Sequence, residues 1–445
     1  MEATAAEPAS RGRLLRILGV GFGLAVIIGN TIGAGIVSTP GSIAEQLPNG
    51  WLFIGVWVAG GLYALLGAIS IAELGTMFPR SGGQYVFAHD ALGPYAGFIV
   101  GWSDWISTCG SSAFISLIIA QYAGVLSPAL VGHSVALALL IVLGFGVIQW
   151  RGIRWGSGVQ NVTSLVKTLA IVTLVIACFV FAGKTQVPGA APVQLPHGLT
   201  LFVAVILALQ GVIYTYDGWT GVIYFSEEVR NPSRDIPRAM LGGVLSVIAI
   251  YLLVNLAIVH VLPISEIAGS DLALGKAAQA LFGPNGDRIF RTVMILSMLS
   301  AVNACQLMAS RVLFAMSRDG LFSTKVARAN RGGTPSVALC FSTVVAAAFI
   351  VTGTVNQVLA VVAFFFVVNY AISFFVVFLL RKREPDRDRP YRAFGYPWTT
   401  GFSLLGSLAF LIGAVTSDTR NSVYALALLA VSYPTFLIFK RLAQA

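Results

Sequence analysis

Two glycine-rich stretches carry the residues whose types and spacing could do chemistry. The first is Gly29-Asn30-Thr31-Ile32-Gly33-Ala34-Gly35-Ile36, inside the first long apolar run; the second is Tyr214-Thr215-Tyr216-Asp217-Gly218-Trp219-Thr220-Gly221, inside the sixth. A helix in lipid keeps its backbone hydrogen bonds internal, because hydrocarbon offers no other partner. Irregular backbone at that depth is tolerated only inside protein or beside a watery cavity. Glycine is the residue that lets a helix open. A break at Gly33-Ala34-Gly35 would free N–H groups to meet a ligand, which is the chemistry of capture and release. Glycine spacing alone has a second reading, since Gly29-x-x-x-Gly33 also permits close helix packing. The matched polar interruption in the sixth run favours a site.

The ionisable residues inside apolar runs are the next candidates. A lysine at mid-helix depth costs roughly 2.5–3.5 kcal/mol on insertion scales and therefore faces a cavity or polar partners. Lys167, following Asn161-Val162-Thr163-Ser164, is such a residue. Asp217 has two readings: directed into the cavity it favours a cationic substrate, and directed away it caps the half-helix that follows. Glu73 lies near the inner end of the second run. Glu227, Glu228, Arg230, Arg234 and Arg238 form a charge-dense turn after the sixth, read as an inner gate and orientation signal. Asp104 has no role that the sequence supports.

These residues need elements to position them. The chain has 445 residues, 57% hydrophobic and 10% charged, with a mean hydropathy of +0.83, far from the composition of soluble domains. Apolar runs long enough for a hydrocarbon core of about 30 Å recur near 17–46, 50–77, 94–125, 132–150, 157–183, 200–229, 237–262, 286–318, 335–354, 357–380, 400–416 and 421–439. The expected fold class is an all-α polytopic membrane protein with twelve transmembrane helices.

The net charge of +10 does not point to nucleic acid, because its placement follows the membrane. With the N-terminus cytoplasmic, 21 Lys and Arg fall on inner segments and 5 on outer ones, Lys167 and Arg311 being within spans. Both ends are then cytoplasmic and the protein sits in a cell membrane, plasma or bacterial inner. The polar tail 1–16 lacks a cleavable signal. Cys109, Cys178, Cys305 and Cys340 are dispersed, with no metal-ligand spacing or disulfide framework. No cofactor or metal is expected. His89, His133, His197 and His260 are scattered and no HExxH, GxSxG or CxxC occurs, so an enzyme is not expected.

The domain organisation read from these runs is a tail, 1–16; a ten-span transport core, 17–380; a basic cytoplasmic linker, 381–399; and two peripheral spans with a short tail, 400–445. If runs one to five (17–183) and six to ten (200–380) are copies, five being odd gives them opposite orientation. Paired broken helices at matching places then point to a site between the repeats.

The motifs IGNTIGAGIVSTPG at 28–41, AELGTMFPRSGGQY at 72–85, YDGW at 216–219, FSEEVRNPSRDIPRAM at 225–240 and SRVLFAMSRDGLF at 310–322, with Thr334-Pro335, occur in this order. On them the chain resembles the amino acid-polyamine-organocation superfamily, and within it the L-type amino acid transporter-like branch. The resemblance implies a LeuT-like 5+5 inverted repeat plus two peripheral helices, and amino acid passage by alternating access. It implies that the substrate carboxylate meets the N–H groups of Gly33, Ala34 and Gly35, where helix N-terminal amides and their dipole favour an anion. It likewise implies that the amino group meets the carbonyls of Thr31, Tyr214 and Asp217. Ala34 departs from the common Gly-Ser-Gly, so any hydroxyl contribution is lost while the backbone one survives. Tyr214 stands where the family often has a gating Phe. Lys167 matches a lysine that stands about where sodium-driven relatives hold sodium, and Glu73, in the AEL motif, suits an inner-gate salt bridge.

These implications favour sodium-independent exchange or facilitated passage of neutral and possibly cationic L-amino acids. Proton-coupled uptake of amino acids or polyamines, with Lys167 exchanging the proton, stays open, as does a sensor that moves nothing. Animal L-type transporters pair with a single-span glycoprotein through a cysteine in the outer loop after span three. Here that loop, Ser127 to Ser134, has none, so no disulfide-linked heavy subunit is expected. Self-association remains open.

Overall fold

The computed structural model describes residues 14–181, 194–352, 355–417 and 419–444. Most of the expected tail 1–16 and the first part of the outer stretch 184–199 lie outside them. Among the described residues, sixteen α-helices run in chain order. The first half comprises α1 (Val20–Thr31), α2 (Gly35–Gln46), α3 (Gly50–Met77), α4 (Gln84–Leu92), α5 (Pro94–Leu126), α6 (Ser134–Trp150), α7 (Ile153–Phe181) and α8 (Leu199–Tyr216). The second comprises α9 (Pro232–Val261), α10 (Ile264–Ile267), α11 (Ala273–Phe282), α12 (Asn285–Arg318), α13 (Ser336–Thr352), α14 (Val355–Arg383), α15 (Trp398–Ser417) and α16 (Thr419–Gln444).

Among the described residues, eight helices are long and apolar enough to cross a membrane, and the bent pair α1–α2 makes a ninth. Three shorter apolar helices, α6, α13 and 425–439 within α16, accompany them. The expected run 50–77 coincides with α3, which starts where it does because the Asn49 side chain accepts the Trp51 and Leu52 N–H groups at 3.0 and 3.1 Å. Pro94 and Pro232 open α5 and α9 at the first turn, where a missing N–H costs nothing. The expected linker is shorter than 381–399, since α14 runs through Arg383 and α15 begins at Trp398.

α12 is the most enclosed of the long helices. A ladder of amides ties it to its neighbours: Gln149 on α6 donates to Asn303 Oδ1 at 2.9 Å, Asn303 to Gln160 Oε1 at 2.8 Å, and Gln160 to the Ala25 carbonyl at 3.1 Å. Four helices, α6, α12, α7 and α1, thus share one buried polar chain, which ties their relative positions together. The segment between α14 and α15 folds back onto α3. The buried Glu73 carboxylate takes Arg381 at 2.6 Å, Arg389 at 3.3 Å and the Ala393 N–H at 2.7 Å. The start of α1 is held by an isolated parallel bridge to the turn after α8, through Leu18 N–H to Glu228 O (2.9 Å) and Arg230 N–H to Leu18 O (2.8 Å).

Candidate substrate site

The first break falls where the sequence places it. α1 stops at Thr31, Ile32 turns extended (ψ 93°), and α2 restarts at Gly35 with its axis bent by 47°. Among the described residues, nothing accepts the N–H groups of Gly33, Ala34 and Gly35, and all three residues line one cavity. The second break follows Tyr216: Asp217 is extended (ψ 148°) and Gly218 has φ +110°. A Cβ on Gly218 would lie 2.7 Å from Asn30 Nδ2 and 3.0 Å from the Thr31 nitrogen, so glycine is what lets the two breaks touch. Gly29 has a different duty. A Cβ there would stand 2.1 Å from Gln160 Nε2 and 2.5 Å from Ser164 Oγ, so it admits α7 against α1.

Lys167 reaches across from α7 and is wholly buried. Its ammonium donates to the Gly29 carbonyl at 2.8 Å and also to the Ile32 carbonyl. The Ser300 and Ser297 hydroxyls reach the same two oxygens, each at 3.3 Å. Carbonyls released by the end of α1 are thereby satisfied by one cation and two hydroxyls, and no carboxylate among the described residues pairs with the lysine.

Thr31, Tyr214 and Asp217 all border the cavity. The Thr31 carbonyl lies 2.7 Å from the Tyr251 hydroxyl, which is also 3.0 Å from the Thr215 carbonyl, so one phenol of α9 bridges the two breaks. The Tyr214 carbonyl takes the Asp217 N–H at 3.1 Å. Each carbonyl keeps a second lone pair for a ligand. The Asp217 carboxylate accepts the Tyr370 hydroxyl of α14, and the Tyr370 ring stacks on Trp219 at 4.9 Å. The short 3-10 turn Gly221–Phe225 that follows has Thr220 as its cap and no side-chain capping bond. Asp217 borders the cavity and is not the cap of that turn.

The inner-gate residues are not one cluster. Glu73 binds the linker, Glu227 pairs with Arg318 at 2.8 Å, Glu228 pairs with Arg311, and the Arg230 side chain is exposed. Five bonding partners were not singled out by sequence: Tyr224, Tyr251, Ser297, Ser300 and Tyr370. The signal available was a hydroxyl in an otherwise apolar run, which many packing positions also carry.

Broken helices that meet over a cavity inside a bundle of apolar spans define a multi-pass membrane carrier. The amino acid permease family matches residues 23–433. The serine/threonine exchanger SteT of Bacillus subtilis (strain 168) is 29% identical over 436 residues, 96% of this chain and 98% of that one. The b(0,+)-type amino acid transporter 1 of Homo sapiens is 28% identical over 394 residues, 85% of this chain and 79% of that one. The large neutral amino acids transporter small subunit 2 of Mus musculus is 26% identical over 400 residues, 88% and 75% of the two chains. The chain belongs to the amino acid permease family and is an amino acid transporter, not an enzyme.

Proposed function

We infer that the protein is a sodium-independent exchanger of neutral and cationic L-amino acids in a cell membrane, working by alternating access. In this reading twelve spans form a LeuT-like fold: repeats 17–183 and 200–380, a basic linker, and two peripheral helices, with both termini cytoplasmic. The open N–H groups of Gly33, Ala34 and Gly35 hold the substrate carboxylate, with α2 contributing its positive end. The carbonyls of Thr31, Tyr214 and Asp217 receive the amino group. Tyr214 closes over the substrate from outside. Glu73, Glu227, Glu228 and Arg230, with their arginine and backbone partners, hold the inner side shut. The loop after α5 offers no cysteine to a heavy subunit.

The observation that carries this reading is the Lys167 ammonium on the Gly29 and Ile32 carbonyls. The lysine already occupies carbonyl oxygens that a sodium ion in that place would need. Proteoliposomes loaded with unlabelled amino acid should take up labelled amino acid at the same rate with sodium or choline outside and with a protonophore present. Uptake that required sodium, or that ignored internal amino acid, would overturn the reading.

The carboxylate clamp makes a sharper prediction. Because the clamp uses backbone N–H groups that Ala34→Ser leaves in place, and an added hydroxyl would only exchange a bond to water for one to the substrate, the apparent affinity and rate of exchange should stay within about twofold. An affinity gain of tenfold or more in the same assay would show that the missing hydroxyl matters.

A further inference from the structure

Asp104, in the middle of α5, is used by none of the roles above. It is fully buried, and both carboxylate oxygens lie 2.9 Å from one donor, the Tyr224 hydroxyl. Tyr224 borders the substrate cavity, as do Thr220, Tyr370 and Asp217. Tyr370 in turn donates to Asp217. Two buried carboxyl groups thus each take a phenol that lines the same cavity, Tyr224 for Asp104 and Tyr370 for Asp217.

Neither acid has a cationic partner among the described residues. The groups facing them do not supply one. α6 has no titratable side chain, and the single cysteine of α13, Cys340, is exposed. On α4, Tyr85 donates to Asp319 and His89 lies against Tyr85, with Asp90 bound by Arg387. α12 offers the Cys305 thiol to the cavity, and its Arg311 is bound by Glu228. α14 offers Tyr370, while its Arg381 is taken by Glu73; Tyr433 of α16 meets Tyr95 at the start of α5. Tyr63, bonded to Ser407, and Tyr214 and Tyr251 are further phenols near Asp217, and Lys167 spends its protons on carbonyls.

Two buried carboxylates without a counter-charge are costly, so a proton or a bound cation must offset them. We propose that Asp104 holds an exchangeable proton linked to substrate charge: the carboxyl is protonated while the cavity is empty or holds a neutral amino acid, and gives up that proton when a cationic side chain settles beside Asp217. The sealed position of Asp104 excludes the cation itself, which leaves the proton as its ligand. The O–H bond of Asp104 breaks, its proton passes to cavity water by exchange through the Tyr224 hydroxyl, and one positive charge replaces another. The Tyr224 hydroxyl then stabilises the ionised Asp104. This rests on the exchange reading above, specifically on cationic amino acids being carried.

The test is calorimetric binding to the purified full-length protein near neutral pH in two buffers of different ionisation enthalpy, using L-lysine and L-threonine. Wild type should release about one proton per lysine bound and close to none per threonine. Asp104→Asn should bind lysine without proton release, and Tyr224→Phe, which strips the ionised acid of its donor, should also abolish release. Equal proton counts for lysine and threonine in wild type, or an unchanged count in folded Asp104→Asn or Tyr224→Phe, would overturn the proposal. Lysine that fails to bind while threonine is exchanged would overturn it as well. Failure of any amino acid to drive counterflow in wild type would instead sink the exchange reading.

Discussion

Replacing Lys167 by methionine is expected to reduce amino acid counterflow about a hundredfold. Methionine keeps an unbranched stem of similar reach, so the packing of α7 against α1 and α12 survives. What disappears is the ammonium that donates to the Gly29 and Ile32 carbonyls. Hydrogen bonds from a charged donor contribute about 1.5–3 kcal/mol each, and the two bonds act on the segment whose geometry fixes the Gly33–Gly35 amides. Ser297 and Ser300 still reach the same oxygens, so the helix end is not left bare and the protein should reach the membrane. The loss should appear in the initial rate of labelled amino acid uptake, measured in proteoliposomes with matched protein content. A rate within about twofold of wild type would mean that the break holds its shape without the lysine, and that the cation is a packing residue.

The breaks themselves were legible in sequence, and for a physical reason. Lipid offers the backbone no partner, so a cluster of glycines and polar residues inside an apolar run has few uses, and Gly33-Ala34-Gly35 and Asp217-Gly218 are such clusters. Lys167 was legible because a charge in a span is expensive. Its acceptors followed only from the resemblance, since the contact joins positions far apart in the chain. The partners of the acids were hidden for the same reason. Asp104 meets Tyr224 across 120 residues and Glu73 meets Arg381 across 308. Nothing in an apolar run distinguishes Tyr224, Tyr251 or Tyr370 from a tyrosine that only packs. The short helices α4, α10 and α11 escaped because none is long enough to span lipid, which was the criterion that found the rest. Gly29 follows the packing reading that its spacing allowed: it admits α7 against α1 through the Gln160 and Ser164 side chains.

The largest effect on stability is expected at Arg311. Its guanidinium is wholly buried, with Nε and Nη2 on the two oxygens of Glu228 at 3.0 and 3.1 Å, Nη1 on Ser310 Oγ and the Leu307 carbonyl, and its plane over the Phe225 ring at 5.2 Å. Arg311→Met removes one member and leaves the Glu228 carboxylate buried without its counter-charge, which typically costs about 3–5 kcal/mol. The double variant Arg311→Met with Glu228→Gln removes both charges at once. Most of the loss should then be recovered, because an apolar or neutral replacement of a whole buried pair is often close to neutral. Thermal unfolding of the purified variants in detergent checks both, and equal destabilisation of the single and double variants would refute the argument. The transport consequence separates from the stability one. Glu228 also accepts the Leu18 N–H through its carbonyl, and its neighbour Arg230 donates back to Leu18, so the pair on α12 anchors the turn that clasps the start of α1. The double variant, folded but without the anchor, should therefore exchange amino acids with a weakened inner closure, seen as an increased rate of modification of a cysteine introduced at the cavity when a membrane-impermeant thiol reagent is added from the cytoplasmic side.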